Sequence, residues 1–202
     1  GHLFEAVAGN SIYRRSSFLV DQIGQPVAAP GVTIVDDGRL RAGLGSSPFD
    51  DEGVPTQTTE IVTKGILQNY LHSSYTARKL HSRPTGNGSR AASGVVTIGP
   101  TNFYLKGGDH SPDEIIGSVK AGLYVIELIG FGVSAVTGDY SRGAVGIWIE
   151  NGKLTYPVQE VTIAGNLREM FKNIEMIGND VTFLGSVGAP TLKMGNMVVS
   201  GE

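Results

Sequence analysis

Ile147-Trp148-Ile149-Glu150-Asn151-Gly152-Lys153-Leu154-Thr155-Tyr156 decides how the rest of the chain is read. Two runs rich in β-branched and aromatic residues flank Asn-Gly, the dipeptide that most readily places two consecutive residues at positive φ. A loop of that kind matches the right-handed twist of paired strands, so the stretch is a β-hairpin. Upstream, Glu60-Ile61-Val62 and residues 66–71 flank Thr63-Lys64-Gly65, a second hairpin with glycine at the positive-φ position. Hairpins join antiparallel neighbours directly, whereas parallel strands need long crossovers. The expected fold is therefore α+β and strand-rich. Its sheets should be mainly antiparallel, sandwich-like or barrel-like, with two or three helices in one domain over residues 1–202.

Outward from these hairpins, residues 158–164 continue in an extended pattern, and residues 95–98, 102–105 and 124–129 read as strands. Residues 32–35 run into Asp36-Asp37-Gly38, a turn sequence, and Ser47-Pro48-Phe49-Asp50-Asp51-Glu52-Gly53-Val54-Pro55 reads as a loop. Residues 73–80 suit a short helix. Arg83-Pro84-Thr85-Gly86-Asn87-Gly88-Ser89 is turn-rich and is expected to be a mobile loop. Ser111-Pro112-Asp113-Glu114 combines a capping serine, a proline at the first helical position and a glutamate that can close a capping box. That helix is expected to stop at Gly122. Asn166 caps another, with Glu169 three residues on. Leu167, Met170, Phe171, Ile174 and Ile177 follow at helical spacing before Gly178. Residues 181–199 return to strands. Trp148, Tyr156, Met170 and Phe171 are read as core residues.

Composition narrows the function classes. The net charge is −3, with no local basic run, which disfavours nucleic acid as a partner. The absence of cysteine excludes disulfides, a thiol nucleophile and thiolate metal ligands, and suits a reducing, cytoplasmic setting. No stretch reaches the roughly 18 apolar residues of a membrane span, so no membrane role is expected. Charged residues are sparse at 17% while apolar residues stand at 40%, which favours a packed chain over a disordered one.

The residues able to carry chemistry are few. Gly138-Asp139-Tyr140-Ser141-Arg142-Gly143 sets an acid, a phenol, a hydroxyl and a guanidinium between glycines that let another backbone come close. Arg142 could clamp a carboxylate, and the glycine-flanked backbone could pair with an extended peptide. The competing reading is a tight turn with an Asp–Arg pair. Asp50-Asp51-Glu52 could bind a hard cation but more often marks a solvated loop. His2, His72, His81 and His110 do not form the one-turn histidine pair of a zinc helix and read as surface or capping residues. Neither a Gly-x-Ser-x-Gly elbow nor a phosphate-cradling glycine loop is present.

Longer strings carry a resemblance. Leu128-Ile129-Gly130-Phe131-Gly132-Val133, Thr137-Gly138-Asp139-Tyr140-Ser141-Arg142-Gly143-Ala144 and Trp148-Ile149-Glu150-Asn151-Gly152 resemble the TldD/PmbA family. So do Tyr156-Pro157-Val158 and Glu160-Val161-Thr162-Ile163-Ala164-Gly165-Asn166-Leu167. Upstream, Tyr13-Arg14-Arg15-Ser16-Ser17-Phe18-Leu19, Asp50-Asp51-Glu52-Gly53-Val54-Pro55 and Pro84-Thr85-Gly86-Asn87-Gly88 also fit. The likeness spans the chain and points to the C-terminal half of a PmbA (TldE)-like subunit; family members carry a further N-terminal half.

The resemblance implies a zinc-dependent peptidase built from two related subunits, linked to peptide-antibiotic maturation, antitoxin degradation and the label "modulator of DNA gyrase". The TldD-type subunit carries a His-Glu-x-x-x-His helix and a further cysteine; the PmbA/TldE-type subunit lacks them and completes a chamber for an unfolded peptide. Counted back from Arg14-Arg15, the family's two histidines fall at Gly1 and Ala6 and its glutamate at His2, and no shift of register creates two histidines five apart. The expectation is thus a chain with no catalytic residues, no metal and no cofactor of its own, zinc residing in the partner. Gly130, Phe131, Gly132, Asp139, Tyr140, Ser141, Arg142 and Gly143 are expected to face the peptide. The partner would be a TldD-like catalytic subunit in a heterodimer, or a second copy in a homodimer. The rival readings are a metallopeptidase active alone, with an unusual site such as His2 plus carboxylates, and a non-enzymatic homodimeric peptide holder.

Overall fold

Asn151 and Gly152 both take positive φ, 49° and 76°, and close the hairpin at the expected two residues. The computed structural model describes residues 2–201. Its elements in chain order begin with α1 (His2–Val7), α2 (Gly9–Tyr13), β1 (Ile34–Asp37), β2 (Thr58–Thr63) and β3 (Ile66–Leu67). Next come α3 (Ser74–Lys79), β4 (Gly88–Arg90), β5 (Val96–Ile98), β6 (Phe103–Leu105) and α4 (Pro112–Gly117). The two longest strands, β8 (Asp139–Glu150) and β9 (Lys153–Asn166), form the Asn-Gly hairpin and follow β7 (Ala121–Ile129). The chain ends with α5 (Leu167–Lys172), β10 (Ile174–Ile177), β11 (Thr182–Leu184), β12 (Val187–Ala189), β13 (Leu192–Met194) and β14 (Val198–Ser200).

The strands form a six-stranded sheet ordered β11-β12-β6-β1-β2-β3, a four-stranded sheet ordered β14-β9-β8-β7, and two pairs, β10-β13 and β4-β5. Every strand pairing is antiparallel except β12 with β6. The strand-rich α+β reading holds. The helices number five among the described residues, all short, and no sheet closes into a barrel. Helix α1 lies between the two large sheets. The Phe4 ring meets Phe103 of β6 edge-on at 5.6 Å, and His2 meets Tyr140 of β8 at 6.0 Å. Val7, Ile61, Val62, Leu67 and Leu71, all fully enclosed, belong to the one core these elements share.

Four local expectations are corrected. Asp36-Asp37 is strand rather than turn, with Asp36 only 1% exposed. Its Oδ1 accepts from the Thr101 N–H at 2.9 Å, and its Oδ2 from the Thr101 hydroxyl at 2.8 Å and the Asn87 amide at 2.6 Å. The segment expected to be mobile instead buries residues 85–88, because Asn87 also donates to the Gly99 carbonyl and is itself 2% exposed. Helix α4 stops at Gly117, capped at Ser118, and Gly122 lies within β7. Helix α5 stops at Lys172: Ile174 and Ile177 belong to β10, where a register shift between Ile174 and Met176 brings both inward. The two helix N-termini read from Ser111 and Asn166 are present, the first with a complete capping box. Of the residues read as core, Met170 is buried, Phe171 and Trp148 are half-buried, and Tyr156 is exposed at the hairpin's outer end.

Candidate functional site

Residues 139–143 open β8 rather than forming a loop, and strand alternation divides them between two faces. Tyr140 and Arg142 point the same way as buried Ala144, toward α1, while Asp139 and Ser141 are exposed. The expected Asp–Arg pair does not form. The Asp139 carboxylate accepts from the Thr137 hydroxyl at 2.6 Å and the Asn166 amide at 3.1 Å. These bonds, Thr137's first, hold its carboxyl below the usual range. The Asn166 amide oxygen accepts from the Arg168 N–H to cap α5, so one side chain ties the strand to the helix.

The second candidate segment lies against the first. Gly130 turns the chain at φ +84°, and the Ser141 N–H donates to the Gly132 carbonyl at 2.7 Å while that of Ser134 donates to the Asp139 carbonyl at 2.9 Å. A methyl group on Gly132 would stand 2.0 Å from the Ser141 carbonyl oxygen, so only glycine fits. Gly143 pairs with Ile129 on β7 and Thr162 on β9. Between Gly130 and Gly132, Phe131 is 100% exposed, with Ile129 and Val136 nearby in the chain also open to solvent. The eight candidate residues are therefore neighbours, but they do not share one face.

On the α1 side sits a group that the chain's order does not reveal. His2 meets the Tyr140 ring edge-on, and Arg142 reaches across to donate from Nη2 to the Leu128 carbonyl at 2.9 Å. Its Nε is buried without a partner. Burial lowers the pKa of His2, with the Arg142 charge acting in the same direction, and burial raises that of Tyr140. The imidazole is thus held neutral and the phenol protonated at neutral pH. No short-range signal could have placed His2 beside residues 138 positions away.

The remaining chemistry-bearing residues do structural work. Asp50 accepts from the N–H groups of Glu52, Val54 and Gly88, Asp51 from that of Arg90, and Glu52 from that of Ser74 at the start of α3. The acidic run is a clamp on the protein's own amides. His72, expected at the surface or as a cap, is buried, and burial lowers its pKa; His81 and His110 are exposed. A cleft of about 130 Å³ lies behind Asn166, lined by Met170, Met194 and Met197. A larger hollow of about 370 Å³, around Arg39 and Pro48, contains none of the candidate residues.

A zinc ion needs three protein ligands with an open position, or four. Along α1 the chain offers one imidazole at His2 and a buried Ala6, and Gly1 lies outside the described residues. Among the described residues no three His, Cys, Asp or Glu side chains converge as a metal would require. The donor set here does not fit zinc. No helix among the described residues is long and apolar enough to cross a membrane.

Residues 1–201 match the PmbA/TldA metallopeptidase C-terminal domain. The chain is 43% identical over 202 residues to Metalloprotease PmbA of Escherichia coli O157:H7, covering all of this chain and 43% of that protein. Against the Metalloprotease TldD homolog of Haemophilus influenzae the identity is 33% over 217 residues, covering all of this chain and 44% of the relative. The TldE structure from Thermococcus kodakarensis superposes with a TM-score of 0.91 at 26% identity, covering 98% of this chain and 46% of that one. The chain thus spans less than half the length of the relatives it matches. A match across the whole sequence, together with a shared fold, makes this chain a member of the PmbA/TldD metallopeptidase family, on its PmbA side.

Proposed function

We propose that this chain is the C-terminal domain of a PmbA/TldE-like subunit that holds an unfolded peptide for a zinc-bearing, TldD-type partner in the cytoplasm, and does not itself cut. One observation carries the reading: α1, the helix that the resemblance aligns with the family's metal-binding helix, faces Tyr140 and Arg142 but offers no zinc-binding donor set. Strand β7, whose end Ile129 pairs with Gly143, is an edge of its sheet, and Phe131 with Ile129 supplies exposed apolar surface beside it. Bare backbone beside apolar side chains is what an extended peptide needs in order to add to a sheet. In the assembled pair, Arg142→Ala is expected to slow peptide turnover by about tenfold or more, as loss of a charged contact does. Turnover unchanged in a variant that remains folded and assembled would sink the reading.

A further inference from the structure

We infer that Arg142, with Tyr140 and His2, forms a receptor for a carboxylate of the bound peptide, an inference that rests on the peptide-holding reading above. Arg142 is a half-buried cation without a counter-charge. The ion pairs among the described residues are Arg15–Asp21 and Lys193–Glu175, and neither involves it. A guanidinium carries five N–H donors. Here one bond goes to the Leu128 carbonyl, and Nε lies buried with no acceptor.

The neighbours are donors too. Neither the Tyr140 hydroxyl nor the His2 ring makes a hydrogen bond to the described residues, although Tyr140 is largely enclosed. Buried or half-buried donors without acceptors are uncommon, because each loses its water without compensation. Arg142 Nε is one of these, and with the unbonded Tyr140 hydroxyl and His2 ring beside it the guanidinium calls for an acceptor carrying negative charge. Glu5, one turn along α1, is the acid felt at His2, but it is exposed and makes no ion pair with Arg142. A planar carboxylate matches the guanidinium fork and can take a further bond from the phenol. The ligand is therefore a peptide presenting a carboxylate, from its C-terminus or from an Asp or Glu side chain.

Binding of labelled, unstructured peptides to the full-length protein, followed by fluorescence anisotropy, tests this. Three peptides of one neutral sequence are compared: a free C-terminal acid, its C-terminal amide, and the amide with one internal glutamate. At least one carboxylate form is expected to bind about tenfold more tightly than the plain amide, and which one identifies the source. In Arg142→Gln that preference disappears, and in Arg142→Lys part of it returns. Equal binding of all three peptides to the unmodified protein overturns the carboxylate receptor while leaving peptide holding intact. Failure of all three to bind overturns both. The comparison on the unmodified protein stands even if a variant fails to fold.

Discussion

An aspartate in a core strand survives burial only when its lone pairs are taken up, and at Asp36 Thr101 and Asn87 do this. Burial still pushes its carboxyl above the ordinary value. Asp36→Asn places an N–H₂ among donors and is expected to cost about 2–3 kcal/mol, seen as a lower urea midpoint with an unchanged slope. This residue was illegible in the sequence for a plain reason. Asp-Asp-Gly is a good turn locally, and the partners that overrule it lie 51 and 65 residues away. His72 supports a second expectation. Burial favours its neutral form, so between the lowered folded value and 6.5 the unfolded chain binds more protons. Stability rises with pH across that window and is lost as pH falls below 6.5. The depressed carboxyls of Asp139, Glu114 and Asp180 act only below the ordinary carboxylate range, and Asp36 acts in the opposite sense. Comparing urea midpoints of His72→Gln and the unmodified protein at neutral and mildly acid pH cancels these contributions. The variant should show the shallower pH dependence.

At the scale of elements, what is settled within a few residues was readable. The two hairpins and the capped helix starts depend on local φ preferences and local hydrogen bonds, and both hairpins and both caps are where the sequence placed them. Gly152→Ala would put a methyl 2.7 Å from the Gly117 carbonyl oxygen at a φ of +76°. It should destabilise by about 1–2 kcal/mol, measurable as a fall in Tm. Helix ends were misjudged where a bulge mimics helical spacing, as at Ile174 and Ile177. The acidic run was legible only as a choice between solvated loop and cation site; it is a loop, and its carboxylates accept from the protein's own amides. Asp50→Ala should release three backbone N–H groups and lower stability by about 2–3 kcal/mol. Added Ca²⁺ should leave the Tm of the unmodified protein unchanged, since these carboxylates already bind amides.

At the scale of the molecule, two segments singled out in the sequence prove to be neighbours, but their geometry could not be read. Gly130-Phe131-Gly132 and residues 139–143 do adjoin, through the bond from the Ser141 N–H to the Gly132 carbonyl. What could not be read was the division of the strand into two faces, or the placing of α1 between the sheets so that His2 meets Tyr140. That arrangement comes from packing across the whole chain and has no local signature. It sets the one imidazole of α1 beside a guanidinium that has no ion pair among the described residues, the arrangement on which the proposed peptide-holding role rests. The most direct measurement is cleavage of an unstructured peptide by the full-length protein, alone and mixed with a TldD-type relative, each with and without chelator. The expected result is chelator-sensitive cutting in the mixture only; chelator-sensitive cutting by the protein alone would contradict the accessory role.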